Sequence, residues 1–300
     1  MSFSDYLKNR EQAFQSVTEK LKSDTFQKNG NDDDRYWKPT MGKDGTGYAV
    51  VRFLPGLDVS KAPWVRIYSH GFQGPGGRWY IENSLTTLGQ QDPVSEYNSK
   101  LWNSGVDADK ETARKQKRRT NYYANVMVIK DPENPSNEGK VKLYRFGQKI
   151  FDKIMEAMQP EFADDDPINP FDIIDGANFR IKLRTVAGYW NYDASSFEKP
   201  SPLSEDEEKL EAVFNAQYDV QELMAPSQFK SYDELKAKME EVLGEVSAPA
   251  PVQENSYTAP DPVVDNNEFA KAFEETTTET KSSSNDDDDL EDYFKSLAAD

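Results

Sequence analysis

The sequence has no cysteine and a single histidine, His70, in 300 residues. The first absence excludes disulfides and thiolate metal sites. The second leaves little for a His-based zinc site or a His-dependent catalytic centre. No apolar run approaches about 18 residues, so no membrane-spanning helix is expected. The N-terminus, Met1-Ser-Phe-Ser-Asp-Tyr-Leu-Lys8, lacks the apolar core of a signal peptide, and a cytosolic protein is expected. No phosphate-binding loop is recognisable. With so few catalytic parts the chain reads as a non-enzyme. The alternative, a metal-dependent nuclease built on Asp164–Asp166 or Asp286–Asp289, is disfavoured because such runs are usually solvated charge.

What the chain has is charge, unevenly placed. The whole carries a net charge of −18. From Lys100 to Lys153, however, 13 Lys/Arg face 7 Asp/Glu, while from Val246 to Asp300 only 3 Lys/Arg face 14 Asp/Glu. The basic stretch interleaves cations with rings, as in Lys115-Gln-Lys-Arg-Arg-Thr-Asn-Tyr-Tyr123 and Lys140-Val-Lys-Leu-Tyr-Arg-Phe146. Phosphates call for cations and unstacked bases call for flat π surfaces, so this pattern suits a single-stranded nucleic acid.

The pattern of apolar residues divides the chain into four. Phe3, Leu7, Phe14, Val17 and Leu21 recur at near-helical spacing, so residues 1–28 are expected to be a helical arm. Residues 29–202 read as mainly β with helical additions. Tyr48–Leu54 is a strand, and Trp64–Phe72 and Arg78–Glu82 flank the hairpin tip Gly74-Pro-Gly-Gly77. Asn121–Ile129 pairs with Lys140–Phe146. Along Asn178–Val186, Phe179, Ile181 and Leu183 alternate with Arg180, Lys182 and Arg184. Ile150, Ile154 and Met158 mark one helix. Short strands with one intervening helix predict an OB-fold-like barrel with insertions. Residues 203–246 read as an acidic helical segment, with an N-cap pattern in Ser204-Glu-Asp-Glu-Glu208. Residues 247–300 are expected to be a disordered acidic tail. Its end carries Leu290, Tyr293, Phe294 and Leu297 as an element that folds on a partner.

Several ordered segments carry a family resemblance: Ala49-Val-Val-Arg-Phe-Leu-Pro55, His70-Gly-Phe72, Trp79-Tyr-Ile-Glu82, Arg118-Arg-Thr120, Tyr144-Arg-Phe-Gly147 and Gly176-Ala-Asn-Phe179. The chain resembles the single-stranded DNA-binding, helix-destabilising proteins of T-even-type phages. The resemblance implies an N-terminal basic segment for cooperative binding, an OB-fold core for the strand, and an acidic C-terminal segment that recruits replication and recombination proteins. The setting would be the cytoplasm of the infected bacterial host. Here the basic segment is thin, with Lys8 and Arg10 as its self-association cations. The resemblance also implies a zinc held by one His and three Cys. His70 remains, Ser84 and Ser95 stand where cysteines would sit, and the third ligand falls in an apparent deletion before Pro93. A serine hydroxyl is a poor zinc ligand, so no metal or other cofactor is expected. The subdomain would then be held by packing, through Trp79, Leu85, Leu88 and Trp102.

The candidate contacts follow. Lys115, Lys117, Arg118 and Arg119 are expected to meet phosphates, with a solvated charge run as the alternative. Tyr122, Tyr144, Tyr189, Trp190 and Tyr192 are candidate stacking platforms, with core packing the alternative for each. Tyr144 is favoured for stacking because it shares a strand face with Lys140 and Lys142. Arg145 lies in the same strand and is a further candidate. Arg52, mid-strand and opposite Val51 and Phe53, is expected to face the groove. Tyr97 and Trp102 match aromatic positions of the family's groove. A rival account makes the chain an acidic protein-recruiting adaptor with no direct DNA binding.

Overall fold

A computed structural model describes residues 33–244, apart from 59, 163, 164 and 187. The expected arm with Lys8 and Arg10 lies outside the described residues, as does the tail with Leu290, Tyr293, Phe294 and Leu297. The short strand Tyr36–Trp37 closes a separate unit, and the elements below belong to the unit that begins at Lys38.

That unit combines an antiparallel sheet with several helices. Its strands are β1 (Thr46–Phe53), β2 (Trp64–Gln73), β3 (Trp79–Asn83), β4 (Arg119–Lys130), β5 (Val141–Phe146), β6 (Phe179–Val186), β7 (Tyr189–Asn191) and β8 (Ser196–Phe197). Its helices are α1 (Pro93–Trp102), α2 (Asp107–Lys115), α3 (Gln148–Met158), α4 (Glu207–Asn215) and α5 (Tyr232–Leu243). The long strand β4 organises the sheet. Its Arg119–Ala124 half pairs with β2, Tyr122–Met127 pairs with β5, and Val126–Lys130 pairs with β1. The other edge of β1 pairs with β6, which in turn holds β7 and β8.

The core follows from the alternation in these strands. In β6, Phe179, Ile181 and Leu183 are buried, while Lys182 and Arg184 point to water. Phe53 is the hub: its ring lies 5.6 Å from Phe146, 5.5 Å from Phe171 and 5.9 Å from Phe179. Burying each such side chain contributes about 1.5–3 kcal/mol. Ile150 and Ile154 of α3 close one end.

A second, smaller core joins the β2–β3 hairpin to the C-terminal helix. Phe72, Tyr80, Leu85 and Val94 pack there with Leu235, Met239 and Val242 of α5. The hairpin turns at Gly77, whose φ of 78° is the left-handed conformation glycine tolerates. At Gly74 the backbone approaches α5 so closely that a Cβ would come within 2.0 Å of the Val242 carbonyl oxygen. Two lysines of this region, Lys230 and Lys238, both bond the Glu82 carboxylate of β3. The helix starts at a capping box in which Ser231 and Glu234 satisfy each other's backbone N–H groups.

Candidate nucleic-acid interface

The site is built on one face of β2. Along Trp64-Val-Arg-Ile-Tyr68 the even-numbered residues share a face, because side chains alternate in a strand. Val65 and Ile67 point the other way, into a cluster with Leu143 and Val220. Trp64 stacks on Phe171 with centroids 5.2 Å apart and meets the edge of Phe151 at 5.6 Å. Arg66 is exposed and lies 5.3 Å from the Tyr68 ring centre. Its register partner across the ladder is Tyr122.

Beside this face lies an open cleft of about 550 Å³, lined by Lys61, Trp64, Arg66, Tyr68, Thr86 and Thr87 among others. None of its lining residues is acidic. Lys61 also pairs with Asp58 outside the lining, at 3.5 Å, and cations next to a large ring form a surface that draws a polyanion and offers its bases a π face.

The residues expected from sequence to make contacts divide into two groups. Exposed are Lys115, Lys140, Arg145 and Tyr189, and half-buried are Lys117, Arg119, Lys142, Tyr97 and Tyr192. Three rings and two arginines are instead structural in the unbound chain. Tyr144, expected to share an outer face with the lysines, is 1% exposed and packs 6.5 Å from Phe53. Strand β5 is covered on both faces at its centre: Tyr144 enters the main core, and Leu143 meets Val65 and Val220. Burial holds the Tyr144 phenol well above its ordinary pKa. Tyr122 is buried too, stacked on Phe151 at 4.0 Å, with Oη donating to Gln148 Oε1 at 2.9 Å. Burial raises its pKa, and the neighbouring Arg66 guanidinium opposes that rise. Trp102 is buried beneath Lys110 and Arg114, whose charges sit 5.7 and 5.3 Å from its ring.

Arg52, expected to face a groove, is fully buried. Its guanidinium donates to Asn178 Oδ1, Asp172 O and Ser201 O, tying β1 to the loops beside β6. Those oxygens are what lets a buried arginine stay there. Arg118 is likewise buried. Its guanidinium lies 3.7 Å from the Tyr68 ring centre, and Nη1 donates to Thr86 Oγ1 at 2.9 Å.

The sequence reading passed over Arg66, Tyr68 and Lys61. A signal for the first two was present, since Trp64, Arg66 and Tyr68 alternate with apolar residues in a strand already recognised as one.

Comparison with known proteins settles the lineage. The family described as "gp32 DNA binding protein like" matches residues 45–243. This chain belongs to that family. It is 40% identical over 223 residues to the single-stranded DNA-binding protein of Enterobacteria phage T2, covering 71% of this chain and 72% of the relative. It is 39% identical over 241 residues to the protein of the same name from Enterobacteria phage T4, covering 76% and 78%. A third relative so named, from Enterobacteria phage RB70, is 38% identical over 95 residues.

The resemblance implies a zinc, and the residues at its place do not fit one. Immediately before Pro93 stands Asp92, whose Oδ1 lies 3.3 Å from His70 Nε2. Ser95 Oγ is also 3.3 Å from that nitrogen, and His70 Nδ1 meets the Gln116 carbonyl at 3.0 Å. Asp92 already accepts from the N–H groups of Leu85, Val94 and Ser95. Ser84 Oγ is engaged with Thr86 Oγ1. Zinc takes deprotonated ligands with free lone pairs, and here the two serines offer neutral hydroxyls while the Asp92 carboxylate is already held by three backbone N–H groups. Among the described residues no three His, Cys, Asp or Glu side chains gather as a metal requires.

Proposed function

We propose that this protein binds single-stranded DNA with little sequence preference, protecting strands and shifting duplex toward separated strands during viral DNA replication, recombination and repair. The observation that carries the reading is the acid-free cleft with Lys61, Trp64, Arg66 and Tyr68 along one side. The relatives, named as single-stranded DNA-binding proteins, support it. Lys115, Lys117, Arg119, Lys140, Lys142 and Arg145 extend the positive surface, and Tyr97, Tyr189 and Tyr192 are further rings for bases. The branched antiparallel sheet around Phe53 is consistent with an OB-type barrel, a fold that holds single strands on such surfaces. Binding one strand and not the duplex lowers the melting temperature by mass action, so neither catalysis nor nucleotide hydrolysis is involved.

The other proposed roles rest on sequence. Lys8 and Arg10 of the arm join neighbouring copies along the strand and give cooperativity. The acidic tail, through Leu290, Tyr293, Phe294 and Leu297, recruits replication and recombination proteins in the cytoplasm of the bacterial host.

The test is a fluorescence titration with unstructured single-stranded DNA at several salt concentrations. Quenching of tyrosine and tryptophan is expected, with affinity falling by about 0.7 log unit per log unit of salt for each phosphate contacted. No binding at low salt would sink the reading and leave the acidic adaptor standing.

A further inference from the structure

The cluster at the zinc position does more than fill space: it holds the turn that supplies Thr86 and Thr87 to the cleft, and it holds the segment whose Arg118 packs on the cleft residue Tyr68. Asp92 caps α1 through Val94 and Ser95, and its other oxygen holds the N–H of Leu85, the first residue of the turn Leu85–Leu88. That turn supplies Thr86 and Thr87 to the cleft. Thr87 Oγ1 accepts from the Tyr68 backbone N–H at 2.9 Å, and Thr86 Oγ1 accepts from Arg118. On the opposite side, His70 Nδ1 and Asn98 Nδ2 both donate to one oxygen, the Gln116 carbonyl, at 3.0 and 2.9 Å. The carbonyl only accepts, so Nδ1 carries a proton. Gln116 immediately precedes Lys117, Arg118 and Arg119. The residues of this cluster are almost wholly buried: His70 and Asn98 are each 1% exposed, Asp92 1% and Ser84 0%.

Burial alone would push the Asp92 carboxyl up, but the His70 ring and the N–H groups of Ser95 and Leu85 outweigh it. The carboxyl is held well below the usual carboxylate range. Three backbone N–H groups satisfy the buried carboxylate, while Asn98 Oδ1 and Gln116 Oε1 of the same cluster are buried without a partner among the described residues, so its geometry rests on the bonds to Asp92 and to the Gln116 carbonyl.

We infer that His70, Asp92, Ser95 and Asn98 form a metal-free hydrogen-bonded clasp that replaces the zinc of related proteins and fixes the Leu85–Leu88 turn and the Gln116–Arg119 segment against the cleft. The four are positioning residues. They act through Thr86, Thr87 and Arg118 and do not touch the strand themselves. Its second half rests on the proposed DNA binding, whereas the first half does not.

The experiment uses the full-length protein. It is dialysed against EDTA and 1,10-phenanthroline, then compared with the untreated protein for zinc content by mass spectrometry and for melting temperature. Far less than one zinc per chain before treatment, and an unchanged melting temperature after it, are expected. About one zinc per chain whose removal lowers the melting temperature would overturn the clasp. Two variants then test positioning, Asp92→Asn and the milder Asn98→Ala, which removes one of two bonds to Gln116. Each is titrated with single-stranded DNA at a temperature where melting shows it folded. The expected result is weaker binding with a salt slope shallower by about 0.7, the loss of one phosphate contact, and no rescue by added zinc. Wild-type affinity and slope in folded Asn98→Ala would overturn the positioning role while leaving the metal result intact. If wild-type protein binds no DNA, the titration reports on the functional reading, and zinc content and melting alone decide the clasp.

Discussion

The Arg118 guanidinium lies against the Tyr68 ring, 3.7 Å from its centre, while Arg66 lies 5.3 Å from the same ring. One cation is buried and the other exposed. The two therefore have different work. Arg118 braces the ring from within and ties it to Thr86, and Arg66 presents charge to whatever enters the cleft.

Substituting each in turn separates these roles. Arg118→Ala removes a desolvated cation–π contact and a buried hydrogen bond, and a loss of about 2 kcal/mol of stability is expected in denaturant unfolding. Arg66→Ala is expected to leave stability within about 0.5 kcal/mol and to reduce the salt slope of DNA binding by about 0.7. The reverse pattern would mean that the assignment of inside and outside is wrong.

Arg52 yields a second prediction. Arg52→Met keeps the length of the side chain but strands the oxygens of Asn178, Asp172 and Ser201. A cost of about 1–3 kcal/mol per unsatisfied buried acceptor places this among the more severe single changes. Chemical denaturation gives the loss. An unchanged midpoint would mean that solvent reaches these oxygens.

A third concerns the hairpin tip. Gly74→Ala places a methyl within 2.0 Å of the Val242 carbonyl oxygen, so α5 has to move. Overpacking of this kind costs about 1–3 kcal/mol. Faster backbone hydrogen exchange in α5 than in β4 is the expected signature, and uniform exchange across both would show that the helix tolerates the methyl.

The alkaline limb of stability supplies a fourth. Tyr232 Oη donates to Glu96 Oε2 at 2.8 Å, linking α5 to α1. Burial first, and then this bond to a carboxylate, push the Tyr232 phenol up to about 12. Its folded value lies above the ordinary value of about 10, so the contribution is complete below about pH 10 and lost as the pH rises toward 12. Melting temperatures from pH 9 upward are expected to fall less steeply for Tyr232→Phe. Parallel curves for the two proteins would remove Tyr232 from the account.

Removing residues 247–300 tests the tail. That segment holds almost all of the excess acid downstream of α5, and a tethered polyanion competes with a strand for the same cations. The truncated protein is expected to bind single strands more tightly at low salt, with the gain shrinking as salt screens the competition. Equal affinity at low salt would argue against it.

Much of the fold is legible from residue order. The alternation in Phe179–Val186, the helix bearing Ile150 and Ile154, and the hairpin closed by Gly77 all follow local rules of period and turn chemistry. The site is less legible, because facing depends on what covers a strand from outside. Tyr144 shares a strand with Lys142, yet the main core takes its ring, and Leu143 is covered by the segment around Val220. Arg52 looked like a groove cation because a single strand does not reveal that three oxygens from distant loops converge on it. Asp92 was missed for the same reason: its partner His70 is 22 positions earlier and on another element.

The strand Arg119–Lys130 is bonded along both edges for much of its length, to β2 and β1 on one side and to β5 on the other. Under the proposed cooperative binding, many copies would stand side by side on one strand, with their sheets close together at high local concentration. Exposed edges would then recruit one another and seed aggregates. Among the described residues the longest strand is consumed internally, and the strands left at an edge are short, three residues in β7 and five in β3, which limits what neighbours can zip onto. Packing of the proposed kind would then stay reversible, the copies parting when the strand is taken from them.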